Sequence, residues 1–280
     1  MTTKSELFTK IDQITVQPAA LSPLFAFLEA RQPFPAQWGS DSAALSRVLE
    51  LIRSLHGEEL DESISLDEAK ARLGVDLVAE YAVVTEFIHW LFGWIPKASD
   101  KLREILLHSF SVGLGARCVG KELGLSLPSM ALSAGFFHDI GRIVMEGALR
   151  IDKDSMIERA YQDQIPIDQA EQVLFQTNHM EIGVYVLQKW HFPEAIIQVV
   201  RYHHQPEACP APNPLVDIVH VADAISLMLG IGIGSEGMNY IASAEVKDRL
   251  HIKRNQLEVI ASTLFLEMEK LNSYPMGMRG

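Results

Sequence analysis

The chain has 280 residues, a length that allows one large domain or two small ones. Hydrophobic residues make up 48% and charged residues 21%, the balance of a globular protein, which excludes a disordered, collagen-like or coiled-coil chain. With 24 Lys and Arg against 36 Asp and Glu, the formal charge is −12, the opposite of the basic surface that binds phosphate backbones, so a DNA or RNA duplex is not an expected partner.

The opening MTTKSELFTKIDQ lacks the apolar stretch of a signal peptide, and the most apolar segment, Phe87 to Pro96, is too short to span a bilayer and carries His89. The two cysteines, Cys118 and Cys209, are far apart and in no paired motif. These features predict a soluble, cytoplasmic protein with reduced thiols and no membrane partner.

Nearly every long segment has a helical period, and strand-like alternation is scarce. Ser65 to Glu68 is a capping box opening a helix that stops at Gly74. Asp76 can cap the next helix, which carries Leu77, Tyr81, Val84 and Ile88 toward an aromatic cluster with Trp90, Phe92 and Trp94. The segment IPKASD, Ile95 to Asp100, interrupts the pattern and marks a boundary between an N-terminal helical subdomain, residues 1–96, and a helical domain, residues 97–280. In the second region a helix starts at Ser99 or Asp100 and runs to Gly124, and Pro128 opens another that ends around Gly141. Asn178 and Glu181 form a capping box, and Pro193 and Pro214 each suit a first helical position. Four prolines in Gln205 to Pro214 and four glycines in Gly230 to Gly237 make loops. The basic run Lys247 to Arg254 reads as the solvated face of a helix, and Lys253 to Leu271 is a final amphipathic helix.

Ionisable side chains fall on the apolar stripes of these helices. His108 continues the stripe of Ile105, Val112 and Val119, and Asp223 that of Val216 and Val219. His138 and Asp139 follow the apolar run Met130 to Phe137, and His203 and His204 follow Ile196 and Val200 at helical spacing. Singly, such a histidine is a hydrogen-bonded core residue and such an aspartate a cap. Together, buried imidazoles and carboxylates without thiolates form the ligand set that suits Fe, Mn or Zn in an open site.

The order His108, His138-Asp139, Asp223 resembles the H…HD…D signature of the HD superfamily of metal-dependent phosphohydrolases. The segments SLDEAKARLGV, LSAGFFHDIGRIVM, NHMEIGVYVLQKWHFPEAI and VVRYHHQPEA are similar to blocks of its HDOD branch, the HD-related output domains of bacterial signalling. The resemblance spans about Glu62 to Ser226 and implies an all-α HD-type helical bundle with an N-terminal helical subdomain. It also implies two divalent ions, Fe or Mn favoured and Zn or Mg possible. His108, His138, Asp139 and Asp223 would hold one, and Asp139 would bridge to a second held by His179, His203 and His204. Glu104, one turn before His108, is either a further ligand or a surface residue. Gly183, one turn after His179, lets a neighbouring element approach that face. Gly141 would end the His138-Asp139 helix and expose the site. Arg142 after it either clamps a phosphate or serves as a helix-end cation. His220 is either a competing ligand, a residue that buttresses one, or a surface group.

The ligand set is as complete as in the catalytic HD-GYP relatives, but after His204 the chain reads Gln205-Pro206-Glu207-Ala208-Cys209-Pro210, without the GYP motif. Hydrolysis of cyclic di-GMP of that type is therefore not expected. Three functions remain open. One is a phosphohydrolase or phosphodiesterase acting on a nucleotide or other phosphorylated small molecule, with Asp139 and Arg142 catalytic. The second is a non-catalytic output module that binds a signalling protein in trans, and the third is a di-iron oxygenase.

Overall fold

The computed structural model describes residues 4–14, 16–30, 32–36, 38, 42–57, 63–95, 99–125, 129–151, 153–231, 242–271 and 274, and every regular element among them is helical. In chain order these are α1 (Lys4–Asp12), α2 (Ser22–Ala30), α3 (Ser42–His56), α4 (Leu66–Leu73), α5 (Val75–Trp94), α6 (Asp100–Glu122), α7 (Ala131–Phe137) and α8 (Ile140–Gly147). The rest are α9 (Lys153–Asp163), α10 (Ile167–Phe175), α11 (His179–Lys189), α12 (Glu194–Tyr202), α13 (Pro214–Met228), α14 (Ala244–Leu250) and α15 (Arg254–Leu271). Among the described residues no helix is long and apolar enough to cross a membrane.

Local chemistry sets most of these boundaries. The Ser65 capping box forms in full, with the Ser65 side chain accepting from the Glu68 amide and Glu68 reaching back to the Ser65 amide. Gly74, at φ 86, ends α4 and also precedes α5, so Asp76 lies inside the first turn of α5 rather than capping it. Ser99 caps α6, accepting from Leu102 N at 3.0 Å while its own hydroxyl donates to Glu146 at 2.7 Å. Asn178 caps α11, but Glu181 completes only half of the predicted box: its carboxylate takes the Thr177 hydroxyl and the Lys4 ammonium. Pro193 precedes α12 as its cap residue, whereas Pro214 is the first residue of α13, as expected.

Two predicted elements come out differently. The helix expected from Pro128 to Gly141 is two helices, because the chain turns at His138-Asp139 and Gly141 belongs to the second; Pro128 lies outside the described residues. The basic run Lys247 to Arg254 is not one helix face, since His251 adopts φ 53 and ends α14. Its Arg249 is turned inward onto Asp217, 2.6 Å away. Of the expected glycine loop only Gly230 and Ile231 are described.

Helices α5, α6 and α13 form the centre. Their buried faces run nearly all round, so on α5 burial extends well beyond the predicted stripe of Leu77, Tyr81, Val84 and Ile88. One continuous core joins residues on both sides of Lys97, from Leu7 to Leu271. Phe87 of α5 meets Phe137 edge-on at 4.8 Å, and Phe137 meets Phe192 at 4.9 Å. Helices α6 and α7 cross at Gly113 and Gly135, where a β-carbon on Gly135 would lie 2.7 Å from the Gly113 Cα. That contact brings the His108 stripe of α6 against the end of α7. Helix α1 docks on α11: Tyr185 donates to Asp12 at 2.7 Å, and Lys189 donates to the carbonyls of Ile11 and Asp12 at 3.1 and 2.8 Å.

Candidate metal centre

Five separate elements deliver the seven predicted residues to one place. His108 comes from the middle of α6 and Asp223 from α13. His138 and Asp139 sit at the break between α7 and α8, His179 is the first residue of α11, and His203 and His204 follow α12. The close seat of α11 on α8 depends on two glycines. A β-carbon on Gly141 would stand 1.8 Å from the His179 carbonyl oxygen, and one on Gly183 would stand 3.2 Å from the Gly141 amide nitrogen. Gly141 therefore does not open the site by ending a helix; it lets His179 approach. His204 is half-buried, whereas the other six are at most 2% exposed.

The residues form two groups whose ligand atoms lie within 4.8 Å of one another: His108, His138 and Asp223, and Asp139, His179, His203 and His204. Asp139 stands between them. Its Oδ2 faces His138 Nε2 at 3.5 Å, and its Oδ1 faces His179 Nε2 at 3.3 Å and His203 Nε2 at 3.6 Å. Asp223 Oδ1 lies 3.0 Å from His108 Nε2 and 3.8 Å from His138 Nε2. The Nε2 atoms of His179 and His204 approach to 3.1 Å, a contact that requires a proton on one ring or a cation between them.

Partners behind the rings fix which nitrogen faces inward. The Nδ1–H of His108 donates to the Ile231 carbonyl, that of His138 to the Gly135 carbonyl at 2.7 Å, and that of His203 to the Val200 carbonyl at 3.1 Å. His179 Nδ1–H donates instead to the Glu171 carboxylate at 2.7 Å. Each of these four imidazoles thus turns its Nε2 to the centre, the arrangement expected of metal-ligating histidines. His138 Nε2, Asp139 Oδ1 and Asp223 Oδ1 are buried there without a hydrogen bond. Buried polar atoms are costly unless satisfied, and a divalent cation satisfies converging lone pairs of this kind. The donor set therefore fits a divalent metal.

Protein charges alone already perturb these groups. Burial would raise Asp139, but the Arg142 guanidinium and the neighbouring imidazoles hold it well below the usual carboxylate range. Burial opposes ionisation of Asp223 too, but the imidazoles of His108, His138 and His204 around it together outweigh burial and lower its pKa. Burial pushes His138 down to about 4 and, aided by His203 and His179, takes His204 well below the ordinary range. For His108 and His179 burial is overcome by Asp223 and Glu171 respectively, so both are raised. Metal binding competes with these protons, so affinity must fall with acidity.

Arg142 is buried at 8% exposure, with Nε 3.3 Å from Asp139 Oδ2. It lies in the first turn of α8 rather than its last, so the helix-end cation alternative is removed. Glu104 is exposed on α6 and outside both groups. His220 buttresses a ligand: its Nδ1–H donates to the His203 carbonyl at 2.6 Å, and its Nε2 accepts from Ser243 N at 2.9 Å. Sequence reasoning passed over Glu171, whose Oε2 also accepts from His179 N at 2.8 Å. Its only signal was an acidic residue beside Ala170, with both on the inward face of a helix whose other residues are exposed or half-buried.

An all-helical bundle that gathers histidines and aspartates from five elements is the architecture of HD-type metal-site proteins. The chain belongs to the HDOD domain family, whose sequence profile matches residues 41–206. The fold is shared with an HDOD domain protein of unknown function from Geobacter sulfurreducens, at TM-score 0.72 and 23% identity over 99% of this chain and 94% of that one. It is shared also with a Shewanella amazonensis protein provisionally described as a phosphohydrolase, at TM-score 0.67 and 21% identity over 94% and 96% of the two chains. Among curated sequences, ribonuclease Y of Lactobacillus gasseri is 27% identical over 228 residues, 78% of this chain and 34% of that protein. The chain thus spans about a third of the length of that relative.

Proposed function

We propose that this HDOD protein is a dinuclear-metal phosphohydrolase or phosphodiesterase acting on a nucleotide or other phosphoester. The observation that carries this reading is the position of Asp139, with one carboxylate oxygen toward each histidine group. His108, His138, Asp139 and Asp223 would hold one ion, and Asp139, His179, His203 and His204 the other. Nitrogen and oxygen donors of this kind suit Fe or Mn, and also Zn. When bound, such ions supply a nucleophile at neutral pH and stabilise charge developing on a phosphoryl group. The chain's own contribution is to hold the donors in register and keep bulk water out. Arg142, with its Nε 3.3 Å from Asp139 Oδ2, is the cation beside the centre that would meet a phosphate oxygen. The ribonuclease Y relatives favour a phosphodiester, while the charge of −12 works against a long polyanion, so a short phosphoester is the best fit.

One observation favours a second reading. Six of the seven residues are almost wholly buried, which suits structural ions in an output module that binds a signalling protein in trans. The deciding experiment is metal analysis of chelator-free protein, with His138→Ala and His204→Ala as controls, followed by a screen of nucleotides, bis(p-nitrophenyl) phosphate and a short single-stranded RNA. About two ions per chain, lost in both variants, together with turnover by the wild type alone, is the expected result. Two ions without turnover leaves the output module, and no ions even after adding Mn²⁺ removes the dinuclear reading.

A further inference from the structure

The histidines of the centre are not all held alike. His108, His138 and His203 rest their Nδ1–H groups on neutral backbone carbonyls, whereas His179 rests on the Glu171 carboxylate. Glu171 is completely buried, an expensive position for a carboxylate without compensation. Its Oε2 accepts both the backbone N–H and the ring Nδ1–H of His179, at 2.8 and 2.7 Å. The backbone bond alone would not require a charge, because a neutral acceptor suffices there, and α11 already has Asn178 as its cap. The ring contact gains from an anion, which makes the imidazole a stronger electron donor at Nε2, and the nearby Arg142 guanidinium also favours the charged carboxylate. Apart from Ala170, Glu171 is the one buried residue of α10, so it is also the point at which that helix reaches the centre.

We propose that Glu171 is a positioning residue that makes His179 a metal ligand, by fixing its ring orientation and its Nδ1–H tautomer, and that the Asp139–His179–His203–His204 half depends on it. This rests on the dinuclear reading above and adds an inequality between the halves. The test is Mn²⁺ titration calorimetry of the full chain and its Glu171→Gln variant, together with long-range ¹⁵N NMR of the imidazoles in metal-free protein. The expected result is two ions in the wild type, with one of the two affinities weakened about 10- to 100-fold in Glu171→Gln and the other unchanged. His179 should be the Nδ1–H tautomer in the wild type and lose that preference in the variant. Equal affinities and an unchanged His179 tautomer in Glu171→Gln would overturn the proposal. If the wild type binds no metal, the dinuclear reading fails, and the tautomer comparison alone still decides the role of Glu171. Should the variant not fold, an Nε2–H His179 in the metal-free wild type overturns the proposal and an Nδ1–H ring supports it.

Discussion

Gly141 lies directly under the His179 carbonyl oxygen, so close that a β-carbon there would stand 1.8 Å from it. The obstacle is backbone and cannot rotate away, so Gly141→Ala must push α11 off α8. We expect a loss of about 3 kcal/mol, the upper range for overpacking, measured as a shift in urea midpoint. His179 moves with α11, so metal content should fall as well. An alanine variant with wild-type stability and metal content would show that α11 is not seated as described.

Glu80 of α5 is buried at 4% exposure and accepts from Ser133 N at 2.8 Å, serving the start of α7 where Met130 offers no side-chain cap. Burial pushes its pKa up to about 7 from 4.5. The folded state then binds more protons than the unfolded state between these values, so the contribution of Glu80 falls as pH rises through that window. Glu80→Gln lacks this dependence. Relative to the wild type it should gain about 3 kcal/mol between pH 4.5 and pH 8, read from paired urea melts. A gap that does not widen with pH would mean that the carboxylate is solvated.

Cation binding should stabilise the fold, because the groups gathered at Asp139 are brought together only in the native state. At a free Mn²⁺ concentration one hundred times its dissociation constant, the gain is about 2.7 kcal/mol per site. Thermal melts in Mn²⁺ and in EDTA should therefore differ by several degrees, and the difference should shrink in His138→Ala. Identical melts would argue against a metal centre.

His220 ties His203 to Ser243, and its two ring nitrogens play opposite roles, donor at Nδ1 and acceptor at Nε2. His220→Phe keeps the ring but leaves a buried carbonyl and an amide without these partners, at a cost of about 2 kcal/mol. The ligand groups themselves are untouched, so the variant should keep its metal with lower affinity. Complete loss of one ion per chain would instead make His220 a ligand.

The sequence itself determined the helices and the residues that matter most. Helical period and caps are local signals, so Ser65, Ser99 and Asn178 mark their helices correctly. His108 and Asp223 were legible because a charged residue on an apolar stripe breaks a periodic pattern. What only the tertiary structure decided involves contacts between elements distant in sequence. The turn at His138-Asp139 hides within an apolar run, and it points the two side chains at different partners. Gly141 reads as a helix stop until α11 is laid across it. Glu171, beside Ala170 on a helix that buries little else, carries no local mark that its partner is His179. Arg142 proved to be turned onto Asp139, and His220 to buttress His203, because burial and hydrogen-bond geometry depend on what packs against a residue. Periodicity can report which face of a helix is inward, but not which atoms from other helices meet it there.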